Sequence, residues 1–215
     1  MNKRFELIVF DWDGTLINTI DWIVHCLQDA AFHCGLSIPS VADAKDIIGL
    51  SIDKAITRLF PDIEEPTRRR FIDYYSQTFF SKRLSRDDLF EGVFDMLLQL
   101  KADGYRLAVA TGKGRNGLQA ALTQTDTAHL FDLTRCADET ASKPSPIMLN
   151  EIIETVGISS DRTLMVGDSI HDLQMARNAG VASAAVACGA HGLDILQRYG
   201  PAICLTETSQ LLAYI

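Results

Sequence analysis

The chain has 215 residues, 47% apolar and 22% charged, enough to bury a full core as one large domain or as one domain with a modest insertion. No stretch stays apolar for the roughly 18 residues of a membrane helix, so no membrane partner is expected. A formal net charge of −8 repels polyanions and sets nucleic acid aside as a partner.

The triplet Arg68-Arg69-Arg70 does not reverse this, because consecutive helical residues point about 100° apart and the three spread around the axis as a solvated face. Lys3 and Arg4 precede an apolar run that Asp11 and Asp13 end before a secretory segment can form, so the mature protein is expected to begin near Met1. Cys26, Cys34, Cys136, Cys188 and Cys204 are odd in number, widely spaced and form no CxxC pair. They read as reduced, mostly buried thiols of a cytoplasmic protein.

In chain order, residues 5–10 form a short run of strand formers that stops at Asp11-Trp12-Asp13-Gly14-Thr15. Residues 17–87 then carry helical patterns and no convincing strand. Ile20, Ile23, Val24, Leu27, Ala31 and Phe32 mark a helix over 18–34, and others are predicted over 40–48, 52–60 and 66–83. Gly35, Pro39, Gly49 and Pro61 supply turns between them. From residue 88 onward strands and helices alternate. Strands are predicted at 105–110, 131–136, 162–166, 182–186 and 202–205. The helices between are marked by Val93 to Leu100, Leu118 to Leu122, Ile147 to Val156 and Leu173 to Ala176.

This alternation predicts an α/β fold, a doubly wound parallel sheet built from 1–16 and 88–215, interrupted by a small helical domain over 17–87. In such sheets a ligand lies beyond the carboxyl ends of the strands. Asp11, Thr111 and Asp168 each follow a predicted strand, so the fold can bring them together.

Asp11 and Asp13 lie one residue apart. One carboxylate can attack phosphorus while a second protonates the departing alkoxide and later takes a proton from water. A turn or helix cap explains an Asp-Gly pair about as well. In Ala110-Thr111-Gly112-Lys113-Gly114 a hydroxyl and glycine-freed N–H groups can hold phosphoryl oxygens, although alone this segment reads as a tight turn. Lys143, in Ser142-Lys143-Pro144-Ser145-Pro146, can offset charge that gathers during phosphoryl transfer, although a lone lysine is usually surface. Asp168 and Asp172 stand four apart at a strand-to-helix junction, where they can hold a hard cation or its waters. Mg²⁺ suits them better than zinc, since no thiol or imidazole cluster accompanies them. His171, between them, reads as an exposed or satisfied side chain rather than a ligand.

Phe10-Asp11-Trp12-Asp13-Gly14-Thr15-Leu16 resembles the first motif of the haloacid dehalogenase-like superfamily. Thr111, Lys143 and Gly167-Asp168 with Asp172 match its second, third and fourth motifs in order. The insertion after the first motif resembles the α-helical cap of the phosphoglycolate phosphatase-like branch. The resemblance implies a Rossmann-like core in which Asp11 attacks phosphorus and Asp13 serves as general acid, then base. It implies that Thr111 and Gly112 bind the phosphoryl group and that Lys143 stabilises both nucleophile and phosphoryl oxygens. Asp11, the carbonyl of Asp13 and Asp168 would ligate Mg²⁺, with Asp172 orienting Lys143 or a metal-bound water.

Within the superfamily an acid at position 13 points to hydrolysis of the phosphoenzyme. The expected function is therefore a Mg²⁺-dependent phosphatase acting on a small phosphorylated metabolite. A phosphosugar mutase and a non-catalytic phosphometabolite sensor stand as alternatives. The cap is expected to select the substrate through Asn18, Thr19, Gly49, Leu50, Ser51, Lys54 and Arg58, and Trp12 to pack beneath the first loop. A monomer is the default, with a dimer possible.

Overall fold

The computed structural model describes residues 4–215, so the expected start near Met1 lies outside the described residues. Strand β1 (Leu7–Phe10) is buried at every position, as a strand covered on both faces must be. Its side chains alternate. Ile8 and Phe10 join one apolar cluster, while Leu7 and Val9 join another on the opposite face.

The sheet continues with β2 (Arg106–Thr111), β3 (Leu133–Cys136), β4 (Thr163–Gly167), β5 (Ala182–Val186) and β6 (Ile203–Leu205). All pair in parallel, in the order β3-β2-β1-β4-β5-β6. The doubly wound parallel sheet is as expected, and each predicted strand is present. From β1 the chain winds outward through β2 to β3, then crosses back to lay β4 on the other side. The switch in direction opens a crevice at the carboxyl end of β1.

The helices, in chain order, are α1 (Ile20–His33), α2 (Val41–Asp46), α3 (Ile52–Leu59), α4 (Glu65–Ser81), α5 (Val93–Ala102), α6 (Arg115–Gln124), α7 (Ile147–Val156), α8 (Ile170–Asn178) and α9 (Leu193–Leu196). Val93, Leu97 and Leu118 bring α5 and α6 onto the face of Ile8 and Phe10. Met148, Ile152 and Met175 bring α7 and α8 onto the face of Leu7 and Val9. Helix α9, four residues long, has too few positions for any period to mark it.

Helices α1 to α4 bury their apolar stripes against one another in a separate cluster that includes Val24, Leu27, Ala30, Ile56 and Phe71. Ser40 and Ser51 accept hydrogen bonds from Asp43 and Lys54 N–H groups and so cap α2 and α3. Ile17 packs with the sheet-side core and bridges to both Asp13 and Leu89, where the chain leaves and re-enters that core. Among the described residues no helix is long and apolar enough to cross a membrane, and all five cysteines are free.

Candidate active site

Asp11 is the first residue beyond β1, and its N–H donates to Val166 O at 2.9 Å, which aims the side chain into the crevice mouth. The loop then turns through Gly14 at φ +79°, a left-handed conformation in which a Cβ would also collide with the Asp168 carboxylate. Asp168 is held from two sides, at 2.7 Å each, by the Thr15 hydroxyl and the Ala190 N–H. Asp172 caps α8 with one oxygen, which accepts from the Ser169 N–H and hydroxyl, and turns the other toward Lys143.

Lys143 is fully buried, its Nζ 2.8 Å from Asp11 Oδ1 and 2.6 Å from Asp172 Oδ1. Oxygens of Asp11, Asp168 and Asp172 all come within 4.8 Å of one another. Asp13 has a separate setting. Its Oδ1 accepts from the Thr19 hydroxyl at 2.7 Å, and its Oδ2 lies 3.0 Å from Lys113 Nζ, which sits 4.1 Å over the Phe79 ring.

Four buried carboxylates thus face two ammonium groups. Burial pushes the Asp11 carboxyl well above its ordinary range; Lys143 draws it back, and Asp172 and Asp168 push it further up. Burial, then repulsion from Asp172, raises Asp168 to about 7. Burial opposes charge on Lys143, yet Asp11 and Asp172 outweigh it and raise its pKa. The site is short of positive charge, and a dication in reach of Asp11, Asp168 and Asp172 would offset this. Asp11 Oδ1, despite its ion pair, has no well-directed hydrogen bond.

The helical insertion covers this crevice. Asp11, Asp13, Thr111 and Gly112 form the floor of a cavity of about 260 Å³ whose roof comes from α1, α3, α4 and the loop at Gly49 and Leu50. Thr111 Oγ1 accepts from the Lys113 N–H at 3.2 Å. The covering contacts are direct: Ser51 N–H donates to Ser142 Oγ at 2.8 Å, and His171 Nε2 lies 2.8 Å from Asp46 O. A Cβ on Gly112 would strike the Gly49 and Leu50 carbonyls. Gly112→Ala is therefore expected to cost about 1–3 kcal/mol, read as a lower urea midpoint. An unchanged midpoint means that the two loops do not touch in solution.

The family model described as haloacid dehalogenase-like hydrolase matches residues 8–186. The chain belongs to this family. Curated relatives include a phosphoglycolate phosphatase of Vibrio cholerae, 32% identical over 95% of this chain and 91% of its own. A pyrophosphatase, PpaX, of Bacillus cereus is 28% identical over 97% of this chain and 95% of its own. A hydrolase from Pseudomonas syringae shares the fold, with a TM-score of 0.87 at 19% identity covering 96% of each chain.

As in the haloacid dehalogenase-like motif order, the structure brings Asp11, Asp13, Thr111, Gly112, Lys143, Asp168 and Asp172 to one crevice. Lys143 is wholly buried rather than a surface lysine. His171 is buried and satisfied by Asp46, and Trp12 is buried beneath the loop in a T-shaped contact with Phe131. The expected substrate contacts divide. Gly49 and Leu50 line the cavity, and Thr19 touches it through Asp13. Asn18 is exposed and lies outside it, while Ser51 faces Ser142. Lys54 and Arg58, one turn apart on α3, face a separate groove of about 640 Å³, and Arg58 is engaged by Asp46.

Sequence reasoning missed Lys113, Tyr75 and Phe79. A charge count around four clustered acids would have sought a second lysine and found Lys113 beside Thr111. Tyr75 and Phe79 stand four apart on α4 and carry no mark beyond ordinary helical spacing.

Proposed function

We propose that the protein is a Mg²⁺-dependent phosphatase of small phosphomonoesters that works through an aspartyl phosphate on Asp11. The observation carrying this is the pair of carboxylates at the cavity floor in different settings: Asp11 against the buried Lys143, and Asp13 held by Thr19 and Lys113. The phosphatase relatives support the same reaction class.

An Asp11 oxygen forms a bond to phosphorus as the ester P–O bond breaks, and Asp13 gives its proton to the departing alkoxide. Water then attacks phosphorus, Asp13 takes its proton, and the bond to Asp11 breaks. The products are the alcohol and inorganic phosphate, with both carboxyl groups restored. Thr111 and the backbone at Gly112 hold the phosphoryl oxygens, and Lys143 offsets the charge shared between them and Asp11. Mg²⁺, when bound by Asp11 and Asp168 with the Asp13 carbonyl, would lower the cost of bringing a dianion among these acids. Residues 17–87 serve as the cap and 1–16 with 88–215 as the core; the cap selects the substrate and excludes bulk water. The free thiols fit a cytoplasmic protein.

The test is phosphate release by the purified protein from a panel of small phosphomonoesters, with Mg²⁺ and then with excess EDTA. Release that EDTA stops supports the proposal. Transfer that requires a sugar bisphosphate points to the mutase, and Mg²⁺-dependent binding without turnover to the sensor.

Metal binding has a readout apart from turnover. With Asp168 raised from 3.8 to about 7, the metal-free folded state binds more protons than the unfolded one between those values. Its contribution to stability is present at low pH and is lost as pH rises through 7. Protons and the dication compete for the same carboxylates. The rise in Tm on adding Mg²⁺ is therefore expected to be larger at pH 8 than at pH 6. An equal shift at both values would count against competition between protons and the dication at Asp168.

A further inference from the structure

We propose that the alcohol released at this site is uncharged and mainly apolar, about the size of one ring or a short alkyl chain. This rests on the phosphatase proposal and concerns the half of the cavity that the phosphoryl group does not fill. Above Asp11 and Asp13 the walls are Ile23 and Leu27 of α1, Ile48 and Leu50 of the covering loop, Ile52 of α3 and Phe79 of α4. At about 260 Å³ in total the cavity sits just below the ~300–1,000 Å³ of pockets for drug-sized ligands, so one small group fits beside the phosphate.

The charges around that half decide the class. Lys113 is the only cation among the described residues lining the cavity, and it is already held by Asp13 at 3.0 Å and against the face of the Phe79 ring. Lys143 is committed to Asp11 and Asp172. The other charged liner is a further acid, Asp138. A leaving group with a carboxylate or a second phosphate would enter an apolar pocket among acids with no free cation, which is costly. Tyr75, Ser76 and Asn116 supply neutral polar groups, which accommodate a hydroxyl or amide on an otherwise apolar alcohol. The relatives named for phosphoglycolate and pyrophosphate release anionic groups, and this cavity does not suit either.

Wild-type protein with Mg²⁺ is assayed for phosphate release from benzyl phosphate and from 2-phosphoglycolate, two esters of primary alcohols that differ in the charge of the leaving group. The kcat/KM for benzyl phosphate is expected to be higher by about tenfold or more, as for one apolar group placed in a fitting pocket. Calorimetry with 2-phenylethylphosphonate and 3-phosphonopropionate, non-hydrolysable counterparts of the two, is expected to rank them the same way. Ile52→Lys puts a cation in the half-buried wall and is expected to narrow the ratio by about tenfold. Equal or better turnover of phosphoglycolate, or tighter binding of phosphonopropionate, overturns the apolar class and leaves the phosphatase proposal intact. Absence of phosphate release from every ester, with phenylethylphosphonate still bound more tightly, counts against the phosphatase proposal and supports the pocket's preference.

Discussion

Asp11→Asn is expected to lower phosphate release by at least about 10⁴-fold while the metal-free protein melts at or above the wild-type temperature. The amide matches the carboxylate in shape but cannot accept the phosphoryl group. Stability moves the other way because Asp11 is a costly residue. Burial and the nearby Asp172 and Asp168 push its carboxyl well above the ordinary range, and only Lys143 draws it back. A neutral side chain removes one of the four acids crowded there and leaves Lys143 its 2.6 Å contact with Asp172. The variant is also expected to gain less stability from Mg²⁺, having lost one carboxylate charge from the cluster. Phosphate assays at saturating substrate, paired with melting curves with and without Mg²⁺, check both halves. Turnover within tenfold of wild type would remove Asp11 as nucleophile. Lost turnover with a collapsed melting curve would mean that the residue is structural.

That opposition of function and stability bears on what was legible in the sequence. The strands were legible because helices cover both faces of the sheet, so β1 reads Leu-Ile-Val-Phe without a polar break and β4 is buried throughout. Helix α1 was legible because its buried residues, from Ile20 to Ala31, recur at helical spacing. Asp11, Thr111 and Asp168 were legible as candidates because polar residues stand at the ends of those apolar runs. The sequence held no sign of Lys143's burial. Its charge is sustained by Asp11 beyond β1 and by Asp172 in α8, and strand order, with β4 next to β1, is what unites them. The division of the expected cap contacts was hidden for a related reason. Whether Lys54 points to the cavity or to the outer groove depends on how α3 is rotated on the core. That rotation is set by Ser51 against Ser142 and by Lys54 reaching Ser142 O at 3.3 Å. Phe79 was hidden likewise, because helical spacing on α4 does not distinguish the core of the insertion from the roof of a site.

Lys143→Met is expected to destabilise the fold by about 3–5 kcal/mol near pH 8 and to abolish phosphate release. Methionine nearly matches the length of the lysine stem, so packing is kept and the loss is chiefly electrostatic. Two carboxylates, Asp11 and Asp172, then stand buried without the ammonium that lies within 2.8 Å of each. The folded variant can relieve this by taking up a proton at Asp11, whose pKa loses its one downward influence. It then binds more protons than the unfolded chain, and its stability falls as pH rises. The deficit against wild type is accordingly expected to shrink as pH is lowered toward 5. Millimolar Mg²⁺ should recover part of it at pH 8 by supplying positive charge to the same oxygens. Lys143→Arg should not restore wild-type behaviour, because a planar guanidinium does not fit a fully enclosed site shaped for one ammonium. Urea unfolding at pH 5 and pH 8, with and without Mg²⁺, separates the causes. A deficit independent of both pH and Mg²⁺ would assign Lys143 to packing alone, and the buried acids would then need another source of neutralisation.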